Sequence, residues 1–477
     1  MEDVDAQRLA PLPDSDVAIV GGGWAGMAAA LELAQAGHRV QVFEAGPVLG
    51  GRARRVALTH ADMAGPLDNG QHLLLGAYRH TLALMRRAGI DPERALVRLP
   101  LQLCYPDGWN LCAPRLPAPW HLLGLALRAQ GPTLAERLGL ARQLLPLRRA
   151  SNKHQGQPHD TVSQWLDAWP AEAAGPGQGE DSLWRRLWEP LCVAAMNTPA
   201  NEADAAVFRR VLADALFGQD GDSDMLIPAR DLSALFPEAA AEVVRRAGGA
   251  VSTGSAVRGF AASADGWSID TARGRHRSRA LVVATAPQQA ARLLAATGLA
   301  GTQAAAAMLA DWRYAPIVTV HVNVGGLRLP RPFLALSTGD DLGQFVFDRA
   351  ALAQIAPGCD NVWSVVISAA DDAVTLAQDE LARRVRDQLA RQLRTCVPDA
   401  GTLRADRGHF VVAEKRATFR CVPGLPRPHN NIGVAGLALA GDYTAGPYPA
   451  TIEAAMRSGS AAARLLTDAA PARGRHS

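Results

Sequence analysis

Short apolar runs, bounded by glycine or charged turns, alternate along this chain with longer stretches of helical period. The first run, Val17-Ala18-Ile19-Val20, has the continuous β-rich character of a strand buried on both faces. Gly21-Gly22-Gly23 follows, and Met27–Ala36 then reads as a helix of small residues ended by Gly37. Arg39–Phe43 is a second strand, closed by Glu44. Together these make a β-α-β unit of about 30 residues, the usual start of a dinucleotide-binding α/β sheet. From Tyr78 to Asp220 the pattern turns helical and rich in leucine and arginine, broken at Ser151–Asp160 and Gly175–Glu180. Leu235–Ala247 reads as a helix closed by two glycines. Strands are predicted over Val251–Ala261, Trp267–Thr271, Ala280–Thr285, Val318–Val324, Gln344–Phe347 and Val362–Ser368, then a helix through Thr395. A strand over Val434–Ala440, a turn at Gly441-Asp442 and a helix over Thr451–Leu466 close the pattern.

The chain has 477 residues, more than one core holds, so at least two domains are expected. The pattern assigns 1–77, 224–290 and 406–470 to a discontinuous dinucleotide domain. It assigns 78–223 and 291–405 to a second, partly helical domain with its own sheet, and 471–477 to a flexible tail. Hydrophobic residues at 48% and charged residues at 20% fit a globular protein. A net charge of +3, with no basic run interleaved with aromatics, argues against nucleic acid as a partner. The six cysteines, at Cys104, Cys112, Cys192, Cys359, Cys396 and Cys421, show no CxxC spacing and no Cys/His cluster. Neither a zinc site nor a disulfide framework is expected, and a reducing compartment fits. Met1–Asp16 lacks the features of a signal peptide, and no apolar run reaches the ~20 residues that span a bilayer. A cytoplasmic location is expected, at most peripheral to a membrane.

The turn after the first strand carries Gly21, Gly23 and Gly26 at GxGxxG spacing, with Ala25 in the same turn. Gly21 permits the tight turn, Gly23 lets the backbone approach a pyrophosphate, and Gly26 lets helix and strand pack closely. The helix N-terminus offers N–H groups and a positive dipole to the phosphate. Glu44 can accept both ribose hydroxyls and would repel a 2′-phosphate. Gly50-Gly51-Arg52 adds a second close backbone approach and a cation, for which a nicotinamide dehydrogenase has no need.

From the glycine turn into GG-R, the chain resembles the flavin amine oxidase and phytoene desaturase superfamily. The segments Leu439-Ala440-Gly441-Asp442-Tyr443, Pro449–Ala455 and Ser458-Gly459 are similar to that family's closing motif, and Ala280–Pro287 to its internal strand. The resemblance covers essentially the whole chain. It implies an α/β fold, a Rossmann-like FAD-binding domain with an inserted α+β substrate domain. By the same resemblance Asp442 bonds the ribityl chain, and Val257 contacts adenine through its backbone. The helix beginning at Thr451 and Ile452 aims its N–H groups at the flavin O2 edge. Amine oxidases carry an aromatic residue two positions before the Glu of the closing motif and a Lys near flavin N5. Here Thr451 takes the first position, and no Lys lies between Pro287 and Lys415. With no Cys in the closing motif, the FAD is expected to be non-covalent.

Leu67–Tyr78, with Asp68-Asn69-Gly70-Gln71-His72 at its centre, resembles the phytoene desaturase stretch that passes under the isoalloxazine ring, which sets Gly70 and Gln71 against the flavin. Together with Glu414–Phe419 and Gly441-Asp442-Tyr443, it is most similar to the squalene-associated branch, the hydroxysqualene dehydroxylases of bacterial hopanoid pathways. That resemblance implies reduction of hydroxysqualene to squalene, with a long apolar isoprenoid as substrate and an external electron donor, NAD(P)H or a separate reductase. His72 is the first candidate proton donor, with Asp68 to orient or charge it, and Tyr448 the second. The other reading of His72 is a ring that packs under the flavin and bonds backbone. Pro119–Ala129 and Leu134–Arg149 alternate leucine faces with arginine, which suits either a membrane interface or a solvated face on a buried helix. Three rival functions remain: a carotenoid or phytoene desaturase, an amine oxidase, and a non-enzymatic prenyl-lipid carrier.

Overall fold

The computed structural model describes residues 14–56, 67–140, 160–167, 183–352 and 361–469. The core of the first layer is a parallel stack. Ala250–Ser252, Val40–Phe43, Ser15–Val20 and Gly274–Val283 lie side by side in that order. Val17 to Val20 are buried on both faces, as a continuous apolar run requires. The strand Gly274–Val283 changes character along its length. Its polar first half pairs antiparallel with Gly266–Thr271, which continues to Val257–Ser263. Its apolar second half pairs in parallel with Leu437–Leu439, so the closing segment enters the sheet beside the nucleotide-binding strands.

Helix Trp24–Gln35 follows the first strand and packs on the closing helix Ile452–Ala469. The two cross closely because Gly459 faces Ala25, where a Cβ would come within 2.2 Å of the Ala25 carbonyl oxygen. On the helix's other flank Trp24 stacks on Phe236, with ring centroids 5.5 Å apart. A second, antiparallel sheet runs in the order Phe333–Ala335, Phe345–Asp348, Val362–Ser368, Tyr314–Asn323, His409–Phe419. It packs on helix Gln378–Gln392 around a core that includes Val318, Val320, Val365 and Leu389.

Several elements differ from the sequence reading. The first helix starts at Trp24 rather than Met27, because Gly23 already stands in the extended N-cap conformation. Val251–Ala261 is two strands, not one: Gly254 takes a left-handed φ of +59° and turns the chain from the parallel stack into the antiparallel hairpin. Leu96–Leu99, Gln102–Cys104 and Asn110–Cys112 are strands inside the stretch expected to be helical. The helices Pro287–Ala295 and Ala300–Ala310 and the strand His409–Phe419 were not read as elements. The breaks at 151–159 and 175–180, Cys359, residues 141–149 and the tail 471–477 lie outside the described residues. Among the described residues no helix is long and apolar enough to cross a membrane.

Candidate active site

The two glycine turns come together as one backbone cradle. Gly50 bridges Gly23 in parallel, and its N–H donates to the Gly22 carbonyl at 2.9 Å. Gly21 has φ +113°, and a Cβ there would lie 2.5 Å from the Ala284 carbonyl oxygen. Gly26 is closer still, with a Cβ 2.0 Å from the Gly21 oxygen. Gly23 is different. Its φ of −75° suits any residue, and a Cβ would meet nothing nearer than Gly51 Cα at 3.7 Å. The fold itself does not require glycine there. The helix that begins beside it has no side-chain cap and no acidic residue in its first turn, leaving those N–H groups for an anion. These features fit a bound pyrophosphate.

Glu44 is held on this rim by the Gly22 and Gly46 N–H groups, each 2.7 Å from one carboxylate oxygen. Ser255 N–H donates to the Glu44 carbonyl at 2.8 Å, so Val257 follows two residues after a contact with this rim. Arg52 projects from the second turn, pairs with Asp442 at 2.5 Å and donates to the Ala417 carbonyl at 2.8 Å. One guanidinium thus joins the N-terminal cradle, the strand His409–Phe419 and the closing motif. Asp442 is buried, and its charge is compensated by this cation. Asn69 clamps the same region: its side chain donates to the Arg52 carbonyl and accepts from Arg54 N–H, at 2.8 and 3.0 Å. That clamp carries Gly70, Gln71 and His72 on from the cradle.

His72 is half-buried, on the chain segment that the Asn69 clamp leads out of the cradle. Burial lowers its pKa, partly opposed by its bond to the Gly70 carbonyl, 2.9 Å from Nδ1. The ring is therefore neutral at pH 7. With Nδ1–H given to Gly70, Nε2 carries the lone pair, an assignment that follows from the network. Asp68 does not orient this ring. Its Oδ1 accepts from Leu232 N–H at 2.8 Å, and burial pushes its pKa up to about 7 against the pull of Arg349. Gln71 accepts from Arg349 at 3.4 Å. Thr319, whose hydroxyl is buried with no hydrogen-bond partner, lies 3.5 Å from where a Gly70 Cβ would stand. His321, on the same strand, is held neutral by burial, with a pKa lowered to about 3.

In the closing segment, the Thr451 hydroxyl accepts from Ala454 N–H at 3.1 Å and so caps the last helix ahead of Ile452. Gly441 N–H bonds Ser458 Oγ at 2.9 Å, fixing the turn on that helix. Tyr448 is not free to donate to a substrate. Its hydroxyl donates to Asp214 at 2.6 Å, and burial and that carboxylate push its pKa up to about 12. Sequence reasoning also missed two residues that hold the segment. Glu453 is fully buried and accepts from Thr81 N–H and Oγ1, at 2.9 and 2.7 Å, which caps helix Arg79–Arg87 from another element. Arg427 donates to the carbonyls of Asp442, Gly446 and Tyr448. Glu453 stood within the motif and could have been flagged. Nothing local marks Arg427.

Residues 24–467 match the family described as flavin containing amine oxidoreductase. The chain belongs to this family. It is an FAD-dependent oxidoreductase. The hydroxysqualene dehydroxylase of Sinorhizobium fredii is 29% identical over 471 residues, covering 94% of this chain and 98% of that one. The hydroxyneurosporene desaturase of Rhodobacter capsulatus is 40% identical over 103 residues, 20% of each chain. The solved cyclohexylamine oxidase of Brevibacterium oxydans superposes with a TM-score of 0.66 at 18% identity, over 96% of this chain and 99% of that one. At that identity the likeness speaks for the fold alone.

Proposed function

We propose that this enzyme reduces hydroxysqualene to squalene. The observation that supports the reading is a likeness to a hydroxysqualene dehydroxylase that runs through 94% of this chain and 98% of the relative. In this reaction a hydride enters the carbon that bears the allylic hydroxyl. The C–O bond breaks with its electron pair on oxygen, and a proton drawn from solvent completes water. Bound reduced FAD supplies the hydride, and an external donor, NAD(P)H or a separate reductase, replaces the electrons.

The chain's own residues then divide the remaining work. Gly21, Gly23, Ala25 and Gly26 with Gly50 and Gly51 cradle the pyrophosphate, and Glu44 takes the ribose hydroxyls. Val257 would meet the adenine, Asp442 the ribityl chain, and Gly70 and Gln71 the flavin ring. The helix starting at Ile452, capped by Thr451, would offer its N–H groups to the flavin edge that becomes negative on reduction. His72, neutral and with Nε2 free to accept, orients the substrate hydroxyl rather than protonating it.

A carotenoid-type desaturation is the second reading, favoured by the 40% identity to hydroxyneurosporene desaturase over 103 residues. One anaerobic experiment separates the two. Enzyme with reduced flavin is given hydroxysqualene, while oxidised enzyme is given phytoene or a simple amine. Squalene formed with flavin reoxidation in the first arm supports the proposal. Flavin reduction by phytoene, with no squalene from the first arm, overturns it.

A further inference from the structure

Eight large apolar side chains are exposed among the described residues, and six of them fall within Leu116–Leu138. On helix Trp120–Arg128, Trp120, Leu123 and Leu127 share one face at i, i+3 and i+7, while His121 and Leu125 face inward. The helix is held this way up by Gly124, which sits so close to Pro114 that a Cβ would come within 2.3 Å of its ring. Leu134 and Leu138 repeat the pattern one helical turn apart in 134–140. Trp120 is 61% exposed, Leu127 71% and Leu134 72%, far more than a packed helix face leaves open.

The exposed charge carried by 113–140 is all positive. Arg115 and Arg128 are exposed and Arg137 half-buried. The only carboxylate in 113–140, Glu136, is turned inward, where Thr133 N–H and Oγ1 donate to it at 2.7 and 2.9 Å. Asp220 stands at the margin and is held by Ala118 N–H at 2.8 Å. Beside the face opens a recess of about 570 Å³, lined among others by Leu101, Pro114, Leu116, Pro117 and His121. Its polar floor includes Arg98 and Asp224. Arg98 lies on Leu96–Leu99, and Asp224 directly precedes Met225–Pro228, the strand that also pairs with Leu74–Leu75 just after His72.

We propose that this face docks the protein on an anionic phospholipid bilayer, with the leucines and Trp120 at the headgroup–acyl boundary and the arginines among the phosphates. A second copy of the chain is the weaker occupant, because a two-fold pairing of this face sets arginine against arginine, with Asp220 only at its margin. With no spanning helix among the described residues, the helix of nine residues lies in the plane of the interface. Docked so, the recess opens where a long apolar molecule already resides. The docking does not depend on which substrate the enzyme reduces.

The test uses FAD-loaded protein and no substrate, so it can fail separately from the reading of the reaction. The protein is floated with phosphatidylcholine vesicles, with and without phosphatidylglycerol, at ~0.1 M and ~1 M salt, where the screening length falls from about 10 to about 3 Å. The wild type should float with the anionic vesicles at low salt, and less at high salt. Leu127→Glu/Leu134→Glu should bind the same vesicles roughly tenfold or more weakly, while keeping its flavin content and its elution volume. Arg115→Glu/Arg128→Glu should lose the preference for anionic lipid. A wild type that stays with the unbound protein at low salt overturns the proposal, as does a leucine variant that floats equally well. A wild-type dimer that the leucine variant converts to monomer, with neither bound to vesicles, assigns the face to a second copy instead.

Discussion

The cradle glycines differ in what they are needed for, and alanine at each should show it. At Gly23 the backbone is extended, with φ −75° and ψ 179°, and an added Cβ finds its nearest neighbour at 3.7 Å. Gly23→Ala should therefore leave the flavin-free protein as stable as wild type, or about 0.4–1 kcal/mol more stable through its less flexible unfolded chain. The methyl would stand in the space left for the pyrophosphate. Overpacking there, at about 1–3 kcal/mol, weakens FAD binding by roughly 5- to 150-fold. Gly26→Ala should behave otherwise. Its Cβ would lie 2.0 Å from the Gly21 carbonyl oxygen and 3.2 Å from Ala284 Cβ. The helix must move away from the strand, at a cost of about 3 kcal/mol or more that the ~1 kcal/mol gain in helix propensity does not offset. Thermal melts of the flavin-free proteins, followed by calorimetric titration with FAD, give both quantities. Bound FAD also raises the melting midpoint in proportion to the logarithm of its affinity, so the FAD-induced shift should shrink selectively in Gly23→Ala. If Gly23→Ala binds FAD within about twofold of wild type, or melts as low without flavin as Gly26→Ala, the division between the two glycines is wrong.

Removing Arg52 strands a buried carboxylate, so Arg52→Met should destabilise the protein by about 2–3 kcal/mol, and Arg52→Met/Asp442→Asn should regain most of it; denaturant midpoints that fall equally for both variants would refute the pairing. Burial raises the Asp68 carboxyl to about 7, so the folded state holds a proton that the unfolded chain releases near pH 4. Stability therefore falls between about pH 4 and pH 7, by up to about 4 kcal/mol, and Asp68→Asn, which can still accept from Leu232, should flatten that slope and be the more stable protein at pH 8. Parallel stability–pH curves for the two proteins would exclude this. Tyr448→Phe should lose only its bond to Asp214, about 1–2 kcal/mol of stability, with turnover changed less than roughly tenfold; a fall of ~100-fold or more would restore the tyrosine as proton donor. His72→Ala should retain its flavin and lose squalene formation. In the wild type, a neutral accepting His72 predicts a rate that holds from about pH 6.5 to 8 and falls in acid. A rate that drops as pH rises through that range would identify the imidazolium as the acid.

How far the sequence could be read follows the distance over which each feature is decided. The glycine turn and Glu44 were legible because their geometry is set by neighbours within one β-α-β unit, and the structure adds only that Gly50 lies directly on Gly23. Arg52 and Asp442 are 390 positions apart, and no periodicity links them; they were legible only through likeness to a family. The short strands at Leu96–Cys112 were hidden because three or four residues carry no period, and tertiary pairing with Met225–Pro228 decides the first of them. Asp68 and Tyr448 show the limit most clearly. Residue type marks Tyr448 as a donor and Asp68 as the group that orients or charges His72, yet each is already bonded to a distant partner, Asp68 to Leu232 at a separation of 164 residues and Tyr448 to Asp214 at 234. Whether a carboxyl or a phenol can move a proton depends on desolvation and on such partners, and neither is written in adjacent residues. The cofactor half of this site is built from local turns, whereas the reactive half is assembled from the Asn69 clamp, the strand bearing Thr319 and His321, and Arg349. In the proposed reaction that half turns on His72 as an acceptor, a ring held by a single bond to the backbone two residues away.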